Sequence, residues 1–153
     1  MRYLSTRDAG PVPAARSFEE VLLAGLAEDG GLYVPERLPA LGRETLLDLA
    51  GLPYAEVASR IVALFAAGSF TVDELRGLAA RAYGSFAHAA VAPLVQLDER
   101  IWLLELFHGP TLAFKDLALQ LVGLLFDAAL ARRAEHLTIV GATSGDTGSA
   151  ALA

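Results

Sequence analysis

The residue with the clearest chemical potential is Lys115, the only lysine among the twelve basic residues of the chain. The other eleven are arginines, and an arginine guanidinium stays charged and is a poor nucleophile. A lysine amine can lose its proton when it is partly buried and can then attack an aldehyde. This is the chemistry of a Schiff base with pyridoxal phosphate. A chance surface lysine is the alternative, and the neighbouring residues decide between the two.

Lys115 lies in the run Phe-His-Gly-Pro-Thr-Leu-Ala-Phe-Lys-Asp at residues 107–116. The apolar residues 101–107 before it predict a strand, and the apolar spacing after it predicts a helix. We therefore expect Lys115 in the first turn of a helix that follows a buried strand, which is where ligands bind in open α/β folds. Its apolar neighbours favour a nucleophilic role, and Asp116 is close enough in sequence to pair with it.

A second motif, Gly-Ala-Thr-Ser-Gly-Asp-Thr-Gly-Ser, occupies residues 141–149. Small residues at a strand-to-helix turn leave backbone N–H groups open for an anion, and Thr143, Ser144 and Thr147 add hydroxyl donors. Such a loop could hold a carboxylate or a phosphate. It lacks both the Gly-Lys-Ser/Thr of a Walker loop and the GxGxxG of a dinucleotide-binding turn. The alternative is a glycine-rich turn in which Ser144 or Asp146 only caps the next helix.

Hydrophobic periodicity predicts small helices in the first half of the chain. Capping boxes at residues 17–20 and 71–74 mark two helix starts, because a serine or threonine there is followed three residues later by glutamate. A further helix is expected after Pro53. The glycine pair before residues 32–35 predicts a turn that leads into a short extended piece.

The second half of the chain changes to short apolar runs. Residues 91–97 and 101–107 predict two strands, and the second is expected to be largely buried because it is nearly all apolar. A helix with an apolar face at residues 117–128, a strand at residues 137–140 and a helix from Asp146 follow. Strand, helix, strand and helix in this order are typical of a βαβ unit and of a parallel sheet. The predicted fold class is α/β.

Composition excludes several classes of function. The net charge is −6 and basic patches are lacking, which disfavours nucleic acid as a partner. Apolar runs stay short of membrane-spanning length, which disfavours a membrane protein. The chain has no cysteine, and its three histidines lack metal-ligand spacing, so we expect neither a disulfide nor a metal site. A small-molecule enzyme of the cytoplasm is the expectation that remains.

The chain ends within a predicted helix, at residues 150–153, without a glycine stop. A single βαβ unit leaves a parallel sheet with few strands, whereas such sheets normally contain more strands that are covered on both faces. Charged residues make up only 20% of the sequence, which indicates apolar surfaces that pack on something else. We therefore interpret the chain as the front piece of a longer protein.

Together these stretches resemble the threonine synthase family, in particular its longer bacterial and fungal branch. The resemblance rests on the lysine motif at residues 107–116 and on Gly-Ala-Thr-Ser-Gly-Asp-Thr-Gly-Ser-Ala-Ala at residues 141–151. Residues 3–7, 17–20 and 26–35 are similar to the helical N-terminal domain of that family. The lysine motif is highly specific, whereas related enzymes carry variants of the second motif.

The resemblance implies a fold-type II enzyme that uses pyridoxal 5'-phosphate to convert O-phospho-L-homoserine and water to L-threonine and phosphate. Such an enzyme is a lyase of amino-acid biosynthesis. Lys115 matches the lysine that binds the cofactor covalently and moves protons. Asp146 stands where related enzymes use an asparagine to contact the ring hydroxyl of the cofactor. The matched substrate-binding loop comprises Thr143, Ser144, Gly145 and Thr147.

The resemblance also implies a division of the chain into residues 1–84, the helical N-terminal domain, and residues 85–153, the start of the catalytic domain. The family binds the cofactor phosphate with a loop well downstream of Ala153. The isolated chain is therefore expected to be inactive, with the C-terminal part of the same enzyme as its missing partner. Two alternatives remain open. One is a non-catalytic fragment or packing module, and the other is a different fold-type II enzyme such as a serine or threonine dehydratase.

Overall fold

The structure is a computed structural model that describes residues 1–10 and 14–153. The described residues form two compact units, Met1–Leu52 with Val57–Arg76 and Pro53–Glu56 with Gly77–Ala153. They contain four short strands, which are β1 (Tyr3–Ser5), β2 (Tyr33–Pro35), β3 (Leu94–Gln96) and β4 (Trp102–Leu104). They also contain six helices, which are α1 (Phe18–Ala24), α2 (Arg43–Leu49), α3 (Tyr54–Ala66), α4 (Val72–Tyr83), α5 (Asp116–Arg133) and α6 (Asp146–Leu152).

Both predicted capping boxes are confirmed. Ser17 Oγ accepts a hydrogen bond from the Glu20 N–H at 3.3 Å, and the Glu20 carboxylate accepts from the Ser17 N–H at 2.7 Å. Thr71 and Glu74 exchange the equivalent bonds at 3.2 and 2.7 Å. Each box satisfies backbone N–H groups that a helix start leaves without a partner inside the helix. The helix predicted after Pro53 is α3.

The first unit is organised around a small antiparallel sheet and aromatic packing. β1 pairs with β2 in the register Tyr3↔Pro35 to Ser5↔Tyr33, so the predicted extended piece is a strand. Tyr3 is buried, and its hydroxyl donates to the Phe65 carbonyl at 3.1 Å. The Phe18 ring lies 6.0 Å from the rings of both Tyr3 and Phe70. The helix α2 and the strand β1 were not predicted from the sequence.

The second unit contains the predicted strand pair β3 and β4, joined as an antiparallel hairpin. The turn is closed by Asp98, whose Oδ1 accepts from the N–H groups of Arg100 and Ile101 at 2.7 Å. The expectation that β4 is largely buried is wrong, since Trp102 is 52% exposed and its strand neighbours are exposed as well. In the described part of the chain, no further strand pairs with either edge of this two-stranded ribbon.

The strand predicted at residues 137–140 is also not formed. Ile139 and Val140 are 73% and 91% exposed, and no described residue pairs with this segment in a sheet. An extended segment becomes a strand only through hydrogen bonds to a neighbouring strand. The apolar composition that predicted a strand is present, but the partner strand is not among the described residues. The parallel pairing expected from the βαβ pattern is therefore not seen.

The predicted helices of the second half are confirmed as α5 and α6. The helix α5 has Leu121, Leu125 and Ala129 buried along one side. It packs against α6, where the Gln120 side-chain amide donates to the carbonyl of Ala150 at 3.1 Å. Among the described helices, none combines the length and the apolarity that crossing a membrane requires.

Candidate active site

Lys115 is the residue immediately before the first turn of α5. Its backbone lies in the right-handed helical region, and its carbonyl accepts from the N–H groups of Ala118 and Leu119 at 3.1 and 2.9 Å. The side chain is half-buried, and Nζ lies 4.5 Å from the centre of the Phe114 ring. The lysine is thus held firmly by its backbone at the helix start, as the motif predicted. The preceding strand, β4, ends at Leu104 and is exposed instead of buried.

The next residue, Asp116, pairs with Thr111 through both carboxylate oxygens. The Thr111 N–H donates to Oδ2 and the Thr111 hydroxyl donates to Oδ1, both at 2.8 Å. Asp116 is 0% exposed, and a buried carboxylate is costly unless it accepts such bonds. Gly109 lies against the same carboxylate, and a Cβ at this position would collide with it. Whether Asp116 approaches Lys115 was left open by the sequence, and its hydrogen bonds go to Thr111.

The backbone between Gly109 and Asp116 forms a tight turn. The Leu112 N–H donates to the Gly109 carbonyl at 3.1 Å, and the Asp116 N–H donates to the Ala113 carbonyl at 3.0 Å. Leu112 has a φ of 63°, a left-handed conformation that is uncommon for a residue other than glycine. The hydrogen bonds of the turn hold this conformation, and the turn leads directly into Lys115.

A pair of hydrogen bonds fixes the start of the same motif. Nε2 of His108 lies 2.7 Å from Oε2 of Glu105, and the His108 carbonyl accepts from the Ala87 N–H at 2.9 Å. The His88 ring lies 5.1 Å from the His108 ring, and its Nδ1 accepts from the Ala90 N–H at 3.1 Å. His108 was predicted only as a member of the lysine motif, and its pairing with Glu105 had no sequence signal beyond the spacing of three residues.

Tyr83 anchors the first turn of α5 to the end of α4. Its hydroxyl donates to the carbonyl of Leu117 at 3.0 Å, and its ring packs edge-on against Tyr54 with centres 4.8 Å apart. Burial, with a smaller effect of the nearby Tyr54 hydroxyl, raises the pKa of Tyr83 to about 12. The neutral phenol is therefore favoured in the fold, which keeps its proton available for this hydrogen bond. The sequence analysis did not identify this anchor.

The small-residue loop before α6 is organised by Thr143. Its Oγ1 accepts from the N–H groups of Gly145 and Gly148 at 3.3 and 3.1 Å. Gly145 has a φ of 128°, which residues with a side chain rarely adopt, and a Cβ at Gly148 would lie 2.8 Å from Thr143 Oγ1. The sequence alternative was that Ser144 or Asp146 caps α6. In the structure, the side-chain oxygen that accepts from the N–H groups at this helix start belongs to Thr143.

The other predicted loop residues face outward. Ser144, Gly145 and Asp146 are exposed, whereas Thr147 is half-buried. Thr147 also lines an apolar groove of about 460 Å³ beside α5, α6 and Ile139. The hydroxyl groups of Ser144 and Thr147 can donate hydrogen bonds to an anion at this turn. Lys115 is not among the residues that line this groove.

The packing of α5 on α6 brings the two motifs into one region of the second unit. Gln120 is the fifth residue of α5 and Ala150 the fifth of α6, and their hydrogen bond joins the helices there. Both helix starts therefore lie less than two turns from this contact.

Comparison with known proteins identifies the family. The family described as "Threonine synthase N terminus" matches residues 2–83, which is more than half of the chain. The chain belongs to the threonine synthase family. It is 58% identical over 152 residues to a threonine synthase from Pseudomonas aeruginosa, covering 99% of this chain and 32% of that protein. It is 44% identical to a threonine synthase from Schizosaccharomyces pombe, covering 98% of this chain and 30% of that protein.

Solved threonine synthase structures have the same fold as this chain. A PLP-bound threonine synthase from Brucella melitensis matches with a TM-score of 0.92 at 49% identity, covering 99% of this chain and 32% of that one. Threonine synthase from Escherichia coli matches with a TM-score of 0.83 at 28% identity, covering 99% and 33%. These matches confirm the predicted fold class. The chain spans about a third of the length of the threonine synthases it matches. The roles predicted for Lys115, Asp146 and the loop, and the predicted domain boundary after residue 84, stay predictions.

Proposed function

We propose that the protein containing this chain converts O-phospho-L-homoserine and water to L-threonine and phosphate, with pyridoxal phosphate as its cofactor. The observation that carries the proposal is the turn at residues 109–116, which presents the only lysine of the chain at the start of α5 in a member of the threonine synthase family. We also propose that the enzyme is cytoplasmic and acts as a lyase.

The residues present fit this cofactor by the chemistry of their donors. Lys115 supplies a primary amine that is half-buried against the Phe114 ring, so one side of the amine is shielded from water. When it is bound, the cofactor supplies an electron sink for charge that develops on the substrate. Lys115 would hold the cofactor through Nζ and move protons at the same atom. Asp146, with its exposed carboxylate at the first position of α6, would face the ring hydroxyl of the cofactor.

The loop before α6 would bind the anionic groups of the substrate. Ser144 and Thr147 offer hydroxyl donors, and the exposed Gly145 lies between them with its own N–H donating to Thr143. Thr143 would contribute indirectly, because its oxygen already accepts hydrogen bonds from two backbone N–H groups and these bonds set the shape of the loop. Hydrogen bonds to charged groups are stronger than neutral ones, so these donors suit a phosphate or a carboxylate.

We propose further that residues 1–84 form the N-terminal domain and that residues 85–153 begin the catalytic domain. In this proposal the cofactor phosphate is bound by residues of the same enzyme outside this chain. The exposed apolar side chains of β4 and of residues 137–140 would pack against that part. The isolated chain would then be inactive. A non-catalytic packing module is the second candidate, which the same exposed surfaces favour.

The test uses the full-length enzyme, meaning this chain together with the two thirds of a threonine synthase that its relatives have in addition. Borohydride reduction in the presence of pyridoxal phosphate, followed by peptide mapping, should place the pyridoxyl group on Lys115. Lys115→Arg should lose the label and the formation of threonine while its melting temperature stays close to that of the wild type, because arginine cannot form the imine. Label on other residues only, or threonine formation by the arginine variant, would refute the assignment of Lys115.

The same experiment distinguishes the enzyme from the non-catalytic packing module. An enzyme forms threonine from O-phospho-L-homoserine and carries the label. A packing module binds the other two thirds but shows neither the label nor the product.

A further inference from the structure

Asp116 has an unusual position for an acidic residue at a helix start. Such carboxylates normally lie at the surface, where they interact with the N–H groups of their own helix. Asp116 is instead fully buried, and both of its oxygens accept hydrogen bonds from Thr111, five residues earlier. The carboxylate thereby closes a loop that contains Leu112, Phe114 and Lys115.

The closed loop holds a strained backbone. Leu112 adopts the left-handed conformation, and its side chain is 69% exposed, so packing of that side chain contributes little to holding it there. The conformation is held by the hydrogen bonds on either side, from the Leu112 N–H to Gly109 and from Thr111 to Asp116. Strain of this kind persists only where surrounding contacts over-determine the backbone, and it clusters at functional sites.

Gly109 shows how closely the turn fits the carboxylate. It is buried, and a Cβ at this position would collide with the side chain of Asp116. The chain therefore folds around the carboxylate itself, without space for a ligand between them. The Asp116 carboxylate therefore contacts both Gly109 and Thr111 within the motif that carries Lys115.

We infer that Asp116 is a positioning residue, which fixes the direction of the Lys115 side chain by holding the turn through Thr111. One peptide bond joins Lys115 to Asp116, and the Lys115 carbonyl of that bond accepts hydrogen bonds from the N–H groups of Ala118 and Leu119. The inference rests on the proposed function, since the direction of Lys115 matters only if its amine reacts. A lysine that forms a covalent bond with a cofactor needs a fixed approach, because small misplacements of reacting groups lower rates strongly.

The experiment compares four variants of the full-length enzyme loaded with pyridoxal phosphate. Asp116→Asn replaces one acceptor oxygen by an amide donor, and Thr111→Val removes the hydroxyl, whereas Thr111→Ser retains it. Asp127→Asn, on the exposed side of α5, is the matched control for the loss of a charge. We expect kcat to fall about 10- to 100-fold in the first two variants with KM unchanged, since the proposed substrate loop is untouched. Thr111→Ser and the control should behave like the wild type.

A spectroscopic readout separates positioning from mere stability. The visible absorbance of the bound cofactor and its pH dependence should change in Asp116→Asn and Thr111→Val but not in Thr111→Ser. Wild-type kcat and absorbance in Asp116→Asn would overturn the inference. If that variant does not fold, the Thr111 pair decides: a low kcat restored by serine supports the inference, and equal kcat values for valine and serine overturn it. A wild-type enzyme without label on Lys115 would refute the proposed function itself.

Discussion

Replacing Tyr83 by phenylalanine should make the stability of the chain less dependent on alkaline pH. The substitution keeps the ring against Tyr54 and removes only the hydrogen bond to the Leu117 carbonyl. A neutral hydrogen bond contributes about 1 kcal/mol, so Tyr83→Phe should be less stable than the wild type by that amount at neutral pH. The ring contacts are unchanged, so larger losses are not expected.

The sign of the pH effect follows from the raised pKa. Tyr83 has a pKa of about 12 in the fold, compared with an ordinary value of 10.0. Between these values the unfolded chain releases the proton while the folded chain keeps it, so the free energy of unfolding falls as the pH rises. The stabilisation is complete below pH 10 and is lost as the pH approaches 12. Two pH units correspond to about 2.7 kcal/mol, an upper bound because the side chain is only partly buried.

The two effects have opposite signs, so the stabilities of the two proteins should cross. Below pH 10 the free energy of unfolding of the wild type exceeds that of Tyr83→Phe by about 1 kcal/mol. Above pH 10 this difference falls by at most about 1.4 kcal/mol per pH unit. Equal free energies of unfolding are therefore expected between about pH 11 and 12. Urea unfolding followed by circular dichroism at a series of pH values measures this, and the absorbance of tyrosinate reports the ionisation directly.

A matched substitution isolates the contribution of Tyr83. Tyr33→Phe removes a tyrosine hydroxyl from β2, a strand of the first unit, and should leave the steep alkaline loss of stability in place. Parallel pH curves for the wild type and Tyr83→Phe, without a crossing, would refute the reasoning. Tyr3 also has a pKa raised by burial, but it contributes equally to both proteins and cancels in the difference. The smaller effect of Tyr54 on the pKa of Tyr83 belongs to the Tyr83 contribution and is removed with the hydroxyl.

The remaining substitutions concern the loop before α6 and one glycine in each of α5 and α6. Ser144→Ala and Thr147→Val should each weaken binding of O-phospho-L-homoserine to the full-length enzyme by about 1–3 kcal/mol, with the cofactor absorbance unchanged. Lost absorbance with intact substrate binding would assign the loop to the cofactor instead. Gly148→Ala should destabilise the chain in urea unfolding, because its Cβ would meet the neighbouring threonine oxygen at 2.8 Å. Gly123→Ala, with open space around it, should stabilise α5 by up to about 1 kcal/mol, and equal effects would contradict this account.

Features that depend on neighbouring residues were predictable from the sequence. The capping boxes at Ser17 and Thr71 and the hairpin of β3 and β4 are local patterns, and the structure contains all three. The pairing of β1 with β2 was not predicted, because two three-residue strands separated by a helix carry little pattern of their own. Pairing over such a separation is decided by tertiary contacts.

The candidate site also has features that the sequence predicted and features that it did not. The motif around Lys115 predicted a lysine at a helix start, and the structure places it there. The burial of Asp116 and its bonds to Thr111 could not be predicted, because they depend on the left-handed backbone of Leu112. The capping role of Thr143 was missed for a related reason. Thr143, Ser144 and Asp146 each have a side-chain oxygen that could cap α6, and only the backbone geometry selects among them.

Local bonding and uncovered apolar surface together predict which parts of the isolated chain are ordered. The turn that carries Lys115 and the loop that carries Thr143 are each closed by hydrogen bonds within six residues, so they form without distant partners. The segment at residues 137–140 instead depends on a neighbouring strand. Amides of Thr111 and Gly148 should therefore exchange slowly in hydrogen-exchange experiments, while those of residues 137–140 exchange freely. Uniform protection across the second unit would contradict this separation. Rapid exchange at Thr111 would show that its bond to Asp116 needs the full-length enzyme.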